Sequence, residues 1–189
     1  RRRHKHLLFL LCGLGNKGFE YSYTRHNIGY LVVDRYSERF KIPLTKNRYG
    51  CKTGINDNIV LAKPDTYMNL SGTPVSLLMR KMNISPDDFI LIHDDLDMDF
   101  GRIKIKWNGG HGGHKGVSSV VDALQTNLFH RLKIGIGRSP FMTPEDYVLS
   151  RFQQDDAETL NESIDIAVEA LHVFVYEGKA KAMSMYNRG

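Results

Sequence analysis

Histidines and aspartates cluster at three places where their side chains could carry out acid–base chemistry. His26 stands in Thr24-Arg25-His26-Asn27, just before a helical apolar pattern. Three carboxylates lie in His93-Asp94-Asp95-Leu96-Asp97, and the glycine-rich segment 109–116 contains two further histidines. A carboxylate beside an imidazole fixes the ring tautomer and leaves the other ring nitrogen free to accept a proton. We therefore predict a His-Asp pair in which the histidine acts as a base.

Alternatively, the same histidines and aspartates could bind a metal ion. Metal ligands recur at helical or tight-turn spacings that converge on one ion, and His111 with His114 on a flexible loop fits this pattern poorly. No Ser or Cys has a convincing nucleophile setting. We expect no metal and no cofactor.

The segment Gly13-Leu14-Gly15-Asn16-Lys17-Gly18 matches the G-x-G-x-x-G spacing of dinucleotide-binding folds. In those folds a helix begins at once, so that its N-terminus holds the pyrophosphate. Here residues 19–24 intervene, and no acidic strand end follows, because Glu38 falls inside the predicted helix. The pattern therefore argues against nicotinamide binding.

Composition and charge limit the class of protein. The 189 residues are 41% hydrophobic, which suits one domain, and no stretch approaches the roughly 20 apolar residues of a membrane span. The net charge of +5 favours an anionic partner such as nucleic acid. Two cysteines without metal-binding spacing, Cys12 and Cys51, suit the reducing cytoplasm.

The N-terminus imitates a secretory leader, since basic residues 1–6 precede the apolar run 7–12. That run is too short, and Gly13-Leu14-Gly15 stands where a small-residue cleavage site is expected. We predict a disordered basic tail over residues 1–6 and a single domain over residues 7–189, whose first strand is buried on both faces.

Hydrophobic periodicity predicts strands alternating with helices. The predicted strands cover residues 7–12, a hairpin of 49–53 and 58–62, 89–93, 103–107 and 131–136. The predicted helices start near Asn27, at a Ser71 cap, at Val117 and near Asp156, with a shorter one after Gly178. Together they indicate a single-domain, three-layer α/β fold with a mixed central β-sheet flanked by helices.

Four ordered blocks of the sequence resemble the bacterial-type peptidyl-tRNA hydrolases over nearly the whole chain. The blocks are residues 13–29, residues 63–72, residues 93–97 with the glycine-histidine loop, and residues 131–138. The resemblance implies hydrolysis of the ester between peptide and tRNA in peptidyl-tRNA, with water activated by His26 and its partner Asp94.

The resemblance also implies roles on the peptide side of the site. Asn16 and Asn69 are expected to hold the peptide and the reacting groups in place. Tyr21 would mark the end of the site near the scissile ester, and Met68 would line the peptide pocket.

The resemblance also implies which residues bind the tRNA. Lys104, Lys106 and Lys133 would bind the acceptor end and its terminal phosphate, while the loop around His114 would cover the substrate. Lys115 departs from the family, which usually has asparagine there. A lysine cannot accept a hydrogen bond, so we expect altered substrate affinity with function retained.

A non-catalytic RNA-binding relative, such as the hydrolase-like proteins recruited to organellar intron splicing, is the alternative. A binding module has no need for the set Asn16, His26, Asn69 and Asp94, so their retention argues against it. We therefore expect a monomeric cytoplasmic enzyme, a carboxylic ester hydrolase acting on peptidyl-tRNA.

Overall fold

One mixed sheet forms the centre of the fold in the computed structural model, which describes residues 7–187. Its strands are β1 (Phe9–Gly13), β2 (Lys46–Arg48), β3 (Cys51–Ile55), β4 (Ile59–Pro64), β5 (Phe89–Asp95), β6 (Ile103–Trp107) and β7 (His130–Gly135). They lie in the order β2-β3-β4-β1-β5-β7-β6. The four strands β4, β1, β5 and β7 are parallel to one another, whereas β2, β3 and β6 pair antiparallel.

Helices cover both faces of this sheet. They are α1 (Ile28–Phe40), α2 (Gly72–Lys81), α3 (Lys115–Leu124), α4 (Pro144–Val148), α5 (Ala157–Tyr176) and α6 (Lys179–Tyr186). Two separate apolar cores result, one beneath α1, α5 and α6 and the other beneath α2 and α3. The predicted three-layer α/β fold with a mixed sheet is confirmed. Within residues 7–187, every helix is too short or too polar to span a bilayer.

Strand β1 is buried on both faces, as its apolar run predicts. Leu11 packs in the core beneath α1 and α5, while Leu10 and Cys12 point into the core beneath α2 and α3. Because β1 and β5 are parallel neighbours, the segments that follow them emerge at the same edge of the sheet. Sites in such sheets form at this edge.

Gly13 and Gly29 allow α1 to approach that edge closely. A Cβ atom on Gly13 would lie 2.1 Å from the Gly29 carbonyl oxygen, and one on Gly29 would lie 2.4 Å from the Ile92 carbonyl oxygen. Backbone atoms at these distances leave room only for glycine. The first α-helix starts at Ile28 and not at Gly18, so the glycine motif serves packing here and offers no helix N-terminus to a pyrophosphate.

Several local predictions need correction. The Ser71 side chain does not cap α2 but donates to the Met68 carbonyl oxygen (2.8 Å), because a 3-10 turn runs directly into the helix. The short elements β2 and α4 were not predicted, since neither is long enough to show a period. The first strand spans Phe9–Gly13 and not residues 7–12. The predicted basic tail, residues 1–6, lies outside the described residues.

Candidate active site

His26 and Asp94 meet at the shared edge of β1 and β5. His26 lies in a 3-10 turn, Arg25–Asn27, at the start of α1, and Asp94 lies near the end of β5. The Nδ1 atom of His26 is 2.8 Å from Oδ2 of Asp94. Since a carboxylate only accepts, Nδ1 carries the proton. The Nε2 atom of His26 is left as an acceptor in the cleft that this residue lines.

His114 binds the other oxygen of the same carboxylate. Its Nε2 atom is 2.8 Å from Oδ1 of Asp94. Its Nδ1 atom accepts the backbone N–H groups of Gly116 (3.1 Å) and Val117 (3.2 Å) and so caps α3. Because Nδ1 accepts, the ring proton must be on Nε2, from which it is donated to Asp94. Sequence reasoning placed His114 only on a covering loop and missed this second contact. Its position just before a helical pattern indicates a cap of α3 but not a contact with Asp94.

Asp94 is held as a buried carboxylate, with only 2% of its surface exposed. Burial by itself would raise its pKa, but the charges and hydrogen bonds of His26 and His114 outweigh burial and hold the pKa well below the usual range. A buried charge is tolerated when its lone pairs are hydrogen-bonded. Asp94 can therefore stabilise positive charge that forms on a neighbouring ring.

His93 lies beneath this cluster and stays neutral. Its Nδ1 atom is 2.8 Å from the Asp94 carbonyl oxygen, and its ring centroid is 4.9 Å from that of His114. Burial, followed by the charge of His114, lowers the pKa of His93 to about 3. Its Nε2 atom has no hydrogen-bond partner among residues 7–187. The ring forms an uncharged floor under the cleft.

The same cluster has the composition of a metal site. One ligand atom each from His26, Asp94 and His114 lies within 4.8 Å of the others. A metal bound at Nε2 of His114 would require the ring proton to move to Nδ1, where two backbone N–H groups already point. The hydrogen-bond pattern therefore suits a proton shared with Asp94 better than a metal ion.

Asn16 lines the same cleft and has a fixed amide orientation. Its Oδ1 atom accepts a hydrogen bond from the Met68 N–H (2.7 Å). The backbone N–H of Asn16 donates to Oδ1 of Asn27 (2.8 Å), and its backbone carbonyl oxygen accepts from Nδ2 of Asn27 (3.0 Å). Since Oδ1 is occupied, the Nδ2 group remains available as a donor. Within residues 7–187 this group makes no hydrogen bond, and Asn16 lines the cleft.

Met68 and Asn69 follow on the 3-10 turn Met68–Leu70, and both line the cleft. Met68 is almost fully buried, whereas Asn69 is exposed. Within residues 7–187, the side-chain amide of Asn69 makes no hydrogen bond. Tyr21 is half-buried and packs edge-on against Tyr67 at 6.4 Å, outside the cleft lining. The expected place of Tyr21 at the end of the site stays a prediction.

The glycine loop forms the roof of a cleft of about 560 Å³. Arg131, which is 1% exposed, donates to the Gly110 carbonyl oxygen (2.7 Å) and ties this loop to β7. No sequence pattern indicated this contact between Arg131 and the loop. Lys115 is the first residue of α3, is exposed, and also lines the cleft. Its ammonium group makes no hydrogen bond or ion pair within residues 7–187.

The three predicted tRNA-binding lysines lie on one face of β6 and β7. Lys104 is directly opposite Lys133, and Lys106 is directly opposite Arg131. Lys133 lines the cleft, with its Nζ atom 3.5 Å from Oδ2 of Asp95. The other two lie on the edge strand, beyond the cleft lining. A basic strip thus leads away from the cleft toward β6.

Comparison with known proteins identifies the family. Residues 10–189 match the family model described as peptidyl-tRNA hydrolase. Peptidyl-tRNA hydrolase from Thermodesulfovibrio yellowstonii is 44% identical over 96% of this chain and all of its own length, and that from Citrifermentans bemidjiense is 40% identical over 94% of this chain and 97% of its own. The crystal structure of peptidyl-tRNA hydrolase from Acinetobacter baumannii matches with a TM-score of 0.89 and 33% identity, covering 98% of this chain and 97% of that one. This chain belongs to the peptidyl-tRNA hydrolase family.

Proposed function

We propose that this chain hydrolyses the ester that joins the peptide to the tRNA in peptidyl-tRNA, with water as the nucleophile and His26 as general base. The hydrogen-bonded cluster of His26, Asp94 and His114 in an open cleft is the observation that carries the proposal. The ester links the C-terminal carboxyl group of the peptide to a ribose hydroxyl of the terminal adenosine. An ester expels an alkoxide, which leaves far more readily than the amide anion that an unprotonated peptide bond would have to expel, so positioned water and a base suffice without a covalent intermediate.

In the first step, His26 Nε2 removes a proton from water as the water oxygen attacks the ester carbonyl. The imidazolium that forms is stabilised by the Asp94 carboxylate at 2.8 Å. A positioned base of this kind contributes roughly 10² to 10⁴ in rate. In the second step, the tetrahedral intermediate collapses, the ribose oxygen leaves, and His26 returns the proton to it.

The negative charge on the carbonyl oxygen needs a donor that is already in place. The Nδ2 group of Asn16 is suited to this role, because the Met68 N–H occupies Oδ1 and prevents the amide from flipping. Asn69 lines the same cleft, and its amide offers a second donor. Preorganised donors cost no reorganisation in the transition state and are often the largest single contribution to catalysis.

The two halves of the substrate leave the reacting centre in different directions. We place the tRNA acceptor end along Lys133, Lys104 and Lys106, since these cations share one face of β6 and β7. The peptide then passes Asn16, Met68 and Asn69, with His114 and Lys115 at the roof. We further propose that the enzyme acts as a monomer in the cytoplasm.

The test uses an N-blocked aminoacyl-tRNA and its unblocked counterpart. Release of the amino acid from the blocked form alone would support both the reaction and its specificity. Binding of tRNA without release from either form would overturn the proposal and leave an RNA-binding relative without catalysis.

A further inference from the structure

Arg25 is a buried cation beside the catalytic base. It directly precedes His26 in the 3-10 turn, it is 9% exposed, and it does not line the cleft. A buried charge is tolerated only where hydrogen bonds and a partner charge replace water. The contacts of this guanidinium group therefore indicate what it does for the site.

Residues 147–156 wrap around the Arg25 guanidinium. Its Nη1 atom donates to the Ser150 hydroxyl oxygen and to the Arg151 carbonyl oxygen, both at 2.7 Å. Its Nη2 atom donates to Oδ2 of Asp156 at 3.2 Å. A guanidinium presents its donors in a rigid fork, so these three acceptors are held in one relative geometry.

Two aromatic rings and the backbone complete this enclosure. The ring centroids of Tyr147 and Phe152 lie 4.6 and 5.4 Å from the guanidinium carbon, within the range of cation–π contacts. The backbone N–H of Arg25 donates to the Ser150 carbonyl oxygen at 3.0 Å. The chain that follows α4 is thus fixed to the turn that carries the catalytic base.

Helix α4 lies directly before this fixed chain and forms one wall of the cleft. The residues of this wall that line the cleft are Pro144, Glu145, Val148 and Leu149. The Leu149 side chain is 46% exposed. Apolar side chains supply most of the contact area in a ligand cleft. Leu149 is therefore in place to contact apolar parts of a bound substrate.

Helix α4 depends on the Arg25 contacts because few others hold it. As far as the described residues show, residues 139–146 form hydrogen bonds only among themselves and with the next four residues. Phe141 is 94% exposed, so this stretch gains little from packing. The other anchors are Val148, which packs partly on the core beneath α1 and α5, and Tyr147, whose hydroxyl donates to the Ile136 carbonyl oxygen (2.6 Å). Because the Tyr147 ring also lies against the guanidinium, it loses support when that group is removed.

We propose that Arg25 is a positioning residue that holds α4 against the catalytic turn, so that Leu149 contacts the substrate in the cleft that His26 lines. This inference rests on the proposed hydrolase function and adds to it a residue that does not touch the substrate. Without the guanidinium fork, α4 shifts away from the turn and the contact between Leu149 and the substrate is weakened.

The experiment is a double-mutant cycle on kcat/KM for an N-acetyl-aminoacyl-tRNA. Arg25→Lys keeps a positive charge but cannot reproduce the fork, and Leu149→Ala removes the apolar side chain of the wall. We expect Leu149→Ala to lower kcat/KM about fivefold and Arg25→Lys about tenfold, since the latter displaces the whole wall. The double variant should lose about tenfold and not about fiftyfold, because a displaced Leu149 has little contact left to lose.

Amide hydrogen exchange gives a readout that does not depend on catalysis. Arg25→Lys should speed exchange in residues 144–152 about tenfold or more, because this segment loses its tether. Ser150→Ala is the second variant: it removes one acceptor of the fork, and it should change exchange and kcat/KM in the same direction by a smaller factor.

Arg35→Lys is the matched control, because Arg35 also joins two elements through its guanidinium. Its Nη1 atom donates to Oδ1 of Asp165 (2.6 Å) and its Nη2 atom to Oδ1 of Asn161 (2.8 Å), which ties α1 to α5. Arg35 does not line the cleft. This variant should leave kcat/KM and the exchange of residues 144–152 close to those of the unmodified protein.

Three results would overturn the inference. Losses that multiply in the double variant would mean that Arg25 and Leu149 act independently. Lower kcat/KM with unchanged exchange in residues 144–152 would mean that Arg25 acts on the catalytic turn without α4. Equal losses of kcat/KM in Arg25→Lys and Arg35→Lys would leave Arg25 a purely structural role. Failure of the underlying function is distinguishable, because the unmodified enzyme would then release nothing from the N-acetyl-aminoacyl-tRNA.

Discussion

The Nε2 atom of His114 lies 2.8 Å from Oδ1 of Asp94, on the carboxylate oxygen that His26 leaves free. Both oxygens of Asp94 are therefore occupied by imidazole donors, which fixes the plane of the carboxylate. The tautomer of His114 is fixed in turn by the N-terminal N–H groups of α3. A continuous set of hydrogen bonds thus runs from the α3 backbone through His114 and Asp94 to His26.

We predict that His114→Asn lowers kcat about 10- to 100-fold, because it removes one hydrogen bond to a buried charge. Asparagine is a good N-cap, so α3 keeps its cap, but the shorter side chain cannot reach Asp94. His114→Ala should lose the same kcat and a further ~1 kcal/mol in the free energy of unfolding, since it also removes the cap. Steady-state kinetics and urea denaturation of both variants check this.

The pair of variants separates the two roles of His114. Normal kcat in His114→Asn, with lower stability in His114→Ala, would reduce this histidine to a helix cap. The proposal that His114 positions Asp94 would then be wrong, whatever the outcome for His26.

We predict that His26→Ala lowers turnover by at least about two orders of magnitude, because the general base is lost. The affinity for deacylated tRNA should survive, since the basic strip on β6 and β7 is untouched. His111→Ala is the matched control: His111 lines the same cleft but does not contact Asp94. Near-normal turnover in His26→Ala would refute the assignment of the base.

The ends of β1 and β5 show which parts of the site can be predicted from the sequence alone. Their unbroken apolar runs predict strands buried on both faces, and polar residues directly after them predict a site at the sheet edge. That β1 and β5 are neighbours is a property of sheet order, which periodicity does not specify. The pairing of His26 with Asp94 therefore needed the family resemblance before the structure placed the two 2.8 Å apart.

The contact between His114 and Asp94 could not be predicted from the sequence for another reason. The loop that carries His114 turns through positive φ angles at Asn108, Gly109, Gly112 and Gly113. Glycine permits such angles without selecting one path. The path is set by tertiary contacts, among them the Arg131 tether to Gly110, and no local pattern encodes these.

We predict that the triple variant Lys104→Ala, Lys106→Ala and Lys133→Ala weakens tRNA binding and flattens its salt dependence. Each lost phosphate contact reduces the magnitude of the slope of log K against log salt by about 0.7 to 0.9, so the loss of three contacts reduces it by about 2 to 3. Filter binding of tRNA at several salt concentrations measures the slope.

The control for net charge removes three exposed lysines elsewhere. Lys46, Lys81 and Lys181 lie on β2, α2 and α6 and do not line the cleft. Their replacement by alanine should leave the slope close to that of the unmodified protein. Equal slopes in the two triple variants would remove the β6 and β7 lysines from the interface.

We predict that His130 makes the fold sensitive to acid. Its ring is packed between Trp107 (4.6 Å) and Phe174 (5.1 Å), and burial, followed by the charge of Lys179, lowers its pKa to about 4. In the unfolded chain a histidine titrates near pH 6.5. Between pH 6.5 and 4 the unfolded state therefore binds more protons, so the free energy of unfolding falls as the pH is lowered through this window. The full contribution is about 3 kcal/mol, present above pH 6.5.

Urea denaturation of the unmodified protein and of His130→Phe at several pH values between 4.5 and 7.5 tests this. Phenylalanine fills the apolar site and cannot bind a proton, so the variant should lose less stability on acidification. Some pH dependence should remain, because His93, with its pKa lowered to about 3, is also buried neutral. Parallel curves for the two proteins across this range would show that His130 does not control acid stability and that the titrating groups lie elsewhere.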